Sequence, residues 1–303
     1  MKKWLERGFW LLLLVYLVFA SSKLLIRFIP GDPVDVIMAE TGAIVDRDTL
    51  AKEMGLDQAF IPSLIHQSKD ALRGDFGYSL FQKKPILEIL KPRLINSAWL
   101  AILALLTGLS IATTLAVFSS LPSRFQIFWD RAQNLHSVWV ASLPTAWIAP
   151  VFAYVFAVHF KLFPLGGSLW LPALTLGYCL SGFWTRALRE TLRGQLTREH
   201  VRAARARGLG ELTILFRYGL YPALGPWIAY LGTQTGLLFA GAIIVESVFD
   251  WPGLGSLLIE SIFKRDYPLI EMTLFVSSTL ILMGNLLGDM IQEMISPRLR
   301  ETS

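Results

Sequence analysis

Histidine, cysteine and clustered carboxylates are the side chains from which a hydrolytic, redox or metal centre is built, and in this sequence they do not converge. The four histidines, His66, His136, His159 and His200, share no ligand spacing. The single cysteine, Cys179, lies in an apolar run, so no internal disulfide can form and a buried, inert thiol is expected. There is no G-x-x-x-x-G-K-[ST] phosphate loop, no nucleophile elbow and no H-E-x-x-H. What is concentrated is positive charge. From Arg186 to Pro222 stand eight arginines against three acids, Glu190, Glu199 and Glu211. Guanidinium groups at this density recognise carboxylates and lipid headgroups and break no bonds. Three more polar groups interrupt apolar runs: Glu246, and Asn285 with Asp289 at i, i+4 on one helical face.

The basic stretch has its own positional logic. Thr197 is suited to N-cap a helix, and Glu199 in the first turn suits its dipole. Ala203, Ala204 and Ala206 favour the helix, and Gly208 is placed to stop it in a left-handed turn. A second short helix restarts near Glu211 and runs to about Tyr218, before Pro222. Val201, Ala204 and Gly208 share a face whose small side chains admit another surface, beside a face of Arg198, Arg202 and Arg205. Two readings stand: a solvated positive loop required only by membrane topology, or a docking surface.

Composition supplies the setting. The 303 residues are 53% hydrophobic, with a mean hydropathy of +0.50 and a net charge of +5. That is a polytopic membrane protein, and because the charge sits in one loop it implies no nucleic-acid partner. Apolar runs place spans at about 9–29, 94–119, 135–158, 169–188, 227–248 and 269–290. The first is read as an uncleaved span, although Val18-Phe19-Ala20 could end a signal peptide; Lys23 and Arg27 near its outer end would snorkel. Residues 1–29 thus form an N-terminal helix and 30–93 an external segment. Residues 94–303 form a five-helix core with the basic loop at 190–222. The external segment holds eight Lys/Arg and ten Asp/Glu, fitting the outer face. Six spans put both termini in the cytoplasm, on the side of Arg124, Arg131 and the basic loop. Pro144 and Pro150 would bend the third span.

Val201 to Leu209 reads V-R-A-A-R-A-R-G-L. It resembles the EAA loop, V-R-x-A-R-A-K-G-L, of the membrane subunits of binding-protein-dependent ABC importers, in their peptide/nickel branch. Arg202 stands where the wider family has Glu, and the closing proline, Pro222, falls one place late. Other stretches agree in order along nearly the whole chain. They are P-G-D-P at 30–33, M-G-L-D-Q at 54–58, R-G-D-F-G-Y-S at 73–79, K-R-D-Y-P at 264–268 and S-P-R-L-R at 296–300. The longest is V-E-S-V-F-D-W-P-G-L-G at 245–255. Locally, each Gly-Pro-Asp corner is also what any external turn requires.

The resemblance implies an all-α membrane protein with the type I ABC importer permease fold, a first permease in the bacterial inner membrane. It implies a coupling helix, carried by Glu199, Val201, Arg202, Ala203, Ala204, Arg205, Gly208 and Leu209, that docks on an ATPase subunit. ATP and Mg would be held by partner chains, leaving this one without cofactor, metal or catalytic residue. The implied partners are a second related permease, two ATPases and an external solute-binding protein, with short peptides as cargo and nickel or a metal chelate as the alternative. Glu246, Trp251, Pro252, Gly253 and Gly255 are candidates for an outer gate, or else a helix-end turn. Asn285 and Asp289 are expected to join helices. A self-contained secondary transporter would need ionisable groups at mid-span, and spans two to four have none in their centres. A membrane enzyme would need a clustered polar set, which is absent.

Overall fold

In a chain this apolar, backbone N–H and C=O groups must be satisfied within each segment, and helices do this. The computed structural model describes residues 2–27, 34, 38, 47, 59–122, 124–164 and 166–295. The motifs at 30–33, 54–58 and 296–300 lie outside the described residues, as does the side chain of Arg27. The described helices are α1 (Lys2–Arg27), α2 (Phe60–Leu72), α3 (Ile86–Ser120), α4 (Gln126–Ser142), α5 (Thr145–His159), α6 (Trp170–Leu196), α7 (Glu199–Ala206), α8 (Glu211–Thr233), α9 (Thr235–Val248), α10 (Leu254–Phe263) and α11 (Tyr267–Ile295). Contacts divide the chain into two compact units, Met1–Ser97 with Pro252–Leu282, and Ala98–Trp251 with Met283–Ser303.

In the first unit, Phe19 of α1 packs edge-on against Phe275 of α11, ring centroids 5.2 Å apart, over Ile86, Leu90, Leu257 and Met272. Lys23, near the end of α1, is engaged within the protein. It forms an ion pair with Glu271, the two side chains only 14% and 6% exposed, so each charge offsets the desolvation of the other. Before α3 the chain makes a tight turn. Asp75 Oδ1 accepts the Gly77 N–H at 3.0 Å, and one isolated antiparallel bridge joins Tyr78 to Pro85.

In the second unit α6 is the hub, packed by α4, α5, α8 and α9. Leu171, Leu176, Leu180, Trp184 and Leu188 are buried along it, and Trp227 Nε1 of α8 donates to the Trp184 carbonyl at 3.0 Å. Hydroxyls on the apolar α3 are satisfied by their own helix: Ser110 and Thr113 donate to the Leu106 and Leu109 carbonyls at 2.7 and 2.6 Å. Thr107 adds a 3.2 Å bond to the Ala173 carbonyl of α6.

Six spans were expected; the described helices give fewer. Two, α3 and α11, are long and apolar enough to cross a membrane, or four if the bent pairs α4 with α5 and α8 with α9 each count as one. The expected third span breaks by 109° at Pro144. Leu143 before it is extended, at φ −109° and ψ 125°, as the residue preceding a proline tends to be. Pro150 stays inside α5, and just beyond it the helix widens to π spacing over Ala153–His159. The expected fifth span is bent by 61° between α8 and α9. The helix α10 was not expected at all.

Candidate functional site

The basic stretch folds as helix, glycine corner, helix. α7 opens at Arg198, whose backbone is extended at φ −71° and ψ 156°. Thr197 is not the N-cap: it closes α6 in helical geometry, and its Oγ1 donates back to the Gly194 carbonyl at 3.0 Å. Glu199 occupies the first turn. Gly208 has φ +76°, the left-handed corner that favours glycine. α8 starts at Glu211 and, contrary to expectation, does not stop before Pro222. It loosens into π spacing over Ile214–Leu220 and returns to α spacing at Tyr221, so the missing N–H of Pro222 falls at the change of register.

Packing corrects the assignment of faces on α7. Val201 and Ala204, 0% and 3% exposed, are spent inside the chain against Ile214, with Leu196 and Tyr218 at the edge. They seat the helix, so the side carrying Val201 and Ala204 is not open to another surface. Glu199, His200, Arg202, Ala203, Arg205, Ala206, Arg207, Gly208 and Leu209 are exposed. Arg205 reaches across the corner to Glu211 with bonds of 3.1 and 3.3 Å. Both partners are nearly half exposed, so the pair orients the corner and adds about 0–1 kcal/mol.

The other candidates fall in different surroundings. In the second unit Glu246 is 1% exposed near the end of α9, and its carbonyl accepts the Trp251 N–H at 2.8 Å. The left-handed residue of this turn is Asp250, φ +49°, rather than a glycine of the motif. In the first unit the Pro252 carbonyl accepts Asn96 Nδ2 at 2.8 Å, and Gly253 N–H donates to Ser256 Oγ at 3.0 Å. Gly255 lies inside α10, so it breaks no helix. Asn285 and Asp289 are both exposed; the buried residue between them is Gly288. A Cβ on Gly232 of α8 would lie 2.5 Å from Gly288 Cα, so it is this glycine pair that lets α8 and α11 meet.

A buried helical hub, bent apolar helix pairs and an exposed basic helix are features this chain shares with known proteins of one family. The family described as "binding-protein-dependent transport system inner membrane component" matches residues 112–301. The chain belongs to this family. It is therefore a membrane-embedded transport component of the ABC importer permease type, not a catalytic subunit. The glutathione transport system permease protein GsiC of Escherichia coli K12 is 29% identical over 292 residues, covering 94% of both chains. GsiC of Salmonella choleraesuis is 32% identical over 303 residues, 96% of this chain and 94% of that one. A crystal structure of an amino acid ABC transporter with histidines aligns at a TM-score of 0.50 and 16% identity, over 69% of this chain and 92% of its own, a likeness of fold alone.

Two features of this permease escaped the sequence reading. In the first unit Asp266, 1% exposed, accepts the Ser79 hydroxyl, the Leu80 N–H at 3.2 Å and the Leu269 N–H at 3.4 Å. The corner at 73–79 and the R-D-Y-P corner thus share one carboxylate. In the second unit Asp130 of α4 binds Arg193 of α6 at 3.0 and 3.1 Å and also accepts from Arg189, whose Nη1 reaches Asn134 Oδ1 at 2.8 Å. Basic and acidic residues on separate helices show no fixed spacing, so neither contact has a sequence signature.

Proposed function

We propose that this permease is one half of the translocation unit of an ATP-driven importer and that α7 couples it to an ATPase. One observation carries this reading. α7 is seated by Val201 and Ala204, so its arginines and Leu209 are held outward on a helix that cannot turn freely. A loop that served membrane topology alone would need its charge but not its seat. Leu196 of α6 and Ile214 of α8 form that seat, so a push on α7 passes directly into two long helices. In this reading six spans place both termini in the cytoplasm. The chain is the first permease, pairing with a related second one. Two ATPases hold ATP and Mg, and an external binding protein delivers solute. The names of the relatives favour a short peptide of glutathione size over nickel or a metal chelate.

Gly208→Leu tests the coupling. The space around Gly208 is open, so the cost is backbone strain alone, about 1–2 kcal/mol. Membrane insertion is expected to be normal, ATP hydrolysis by the assembled complex retained, and peptide uptake reduced about tenfold. Unchanged uptake would refute the docking role. Arg205→Cys is also expected to lose its reactivity towards a hydrophilic thiol reagent when the ATPase is co-expressed, and equal labelling with and without the ATPase counts against it.

A further inference from the structure

Two helices of the second unit, α4 and α6, meet in a ladder of polar side chains with matching pitch. Asp130 and Asn134 stand one turn apart on α4, facing Arg189 and Arg193 one turn apart on α6. Arg189 gives one Nη to Asp130 and the other to Asn134 Oδ1, the latter at 2.8 Å. Arg193 Nη2 reaches both Asp130 oxygens, at 3.0 and 3.1 Å. The Arg189 side chain is 13% exposed and Arg193 48%, so one rung is shielded from water and the other is open. Farther along the pair His136 Nε2 lies 2.9 Å from Ser181 Oγ, and a Cβ on Gly182 would lie 2.6 Å from Val140 Cβ. Contact this close holds the helices together at that level, and the guanidinium groups set their register at the other. Past Arg193, α6 runs on for three residues to Leu196, which belongs to the seat of α7.

We propose that Asp130 is a positioning residue for coupling, which keeps α4 in step with α6 when α7 is moved. The inference rests on the reading of α7 as the coupling helix and adds where its motion goes next. A push on α7 enters α6 at Leu196. From there α6 either slides along α4 or carries it. Apolar packing alone resists sliding weakly in a membrane, because lipid is as good a neighbour as protein. A carboxylate shared by two guanidinium groups has fixed directions and resists it strongly. A slide of less than one turn would leave Arg189 away from both its acceptors in a largely buried place, where an unpaired charge is costly. The two helices therefore move as one body, and through Leu143 and Pro144 α4 leads on into α5. A contact that served stability alone could sit anywhere along the pair; this one lies in the last two turns of α6 before α7.

The test uses the full chain assembled with its partners in proteoliposomes. Spin labels are attached to Ile127→Cys, in the first turn of α4, and Leu212→Cys, at the start of α8; both positions are exposed, and the native Cys179 is buried. With Asp130 in place, the distance between the labels is expected to be the same with and without ATP. In Asp130→Asn it should shift or broaden when ATP is added. Trialanine taken up per ATP hydrolysed should fall about five- to tenfold in that variant, the lower range of energetic coupling between sites. Asp130→Glu should restore both readings. Arg193→Gln strands no buried charge and should lower the uptake ratio about twofold; it decides by the same readings if Asp130→Asn does not assemble. The label distances need no cargo, so they stand whatever the solute. Three outcomes would each overturn the proposal: a distance that changes with ATP while Asp130 is intact, an Asp130→Asn variant that keeps a constant distance, or one that broadens equally with and without ATP, as a merely structural defect would. Protection of Arg205→Cys by the ATPase is read in parallel. Its absence sinks the coupling role of α7, whereas protection together with any of those outcomes sinks only the role of Asp130.

Discussion

Asp266 joins two corners that are far apart in sequence. Its carboxylate caps α11 through the Leu269 N–H and anchors the 73–79 corner through Ser79 and Leu80. Asp266→Ala would strand all of these groups, so a loss of about 2–4 kcal/mol is expected, read as a lower midpoint of thermal unfolding in detergent. Ser79→Ala should cost about 1 kcal/mol. The pair of Lys23 and Glu271 makes a different prediction. Lys23→Met leaves a buried carboxylate uncompensated and should cost about 3–5 kcal/mol, whereas Lys23→Met with Glu271→Leu should recover most of that loss. If the double variant is no more stable than the single one, the pair does not hold α1 in place.

Among the elements, the telling contact is the approach of α8 to α11 at Gly232 and Gly288. Within a membrane apolar contact with lipid is as favourable as contact with protein, so helices associate where backbones come close. A side chain on either glycine would strike the backbone of the other helix, which cannot swing aside. Gly288→Val is therefore expected to destabilise by about 1–3 kcal/mol, and Gly288→Ala by less, in the same unfolding assay. An exposed position one residue away, Asp289→Asn, should change little. α7 shows the opposite economy: a helix of 8 residues too short to be stable alone, kept in place by two buried side chains while its charges face outward.

For the whole molecule, topology is the property open to test. Reporter fusions after residues 122 and 210 are expected to report the cytoplasm, and fusions after 75 and 166 the outside. A fusion after 210 that reported the outside would remove the premise of coupling by α7.

Residue types alone settled the class of the protein. Hydropathy demands helices in lipid whatever their packing. The left-handed corner at Gly208 was legible for the same kind of reason, since only glycine enters that region without strain. Tertiary structure decided the rest. Periodicity can group Val201, Ala204 and Gly208 on one face, but only the position of Ile214 shows that the face is occupied from within. A proline in an apolar run permits a kink or a full reversal, and the turn of 109° at Pro144 is seen only in the folded chain. The carboxylate shared by two corners and the two arginines that meet at Asp130 are matters of distance between remote residues, which no linear pattern encodes.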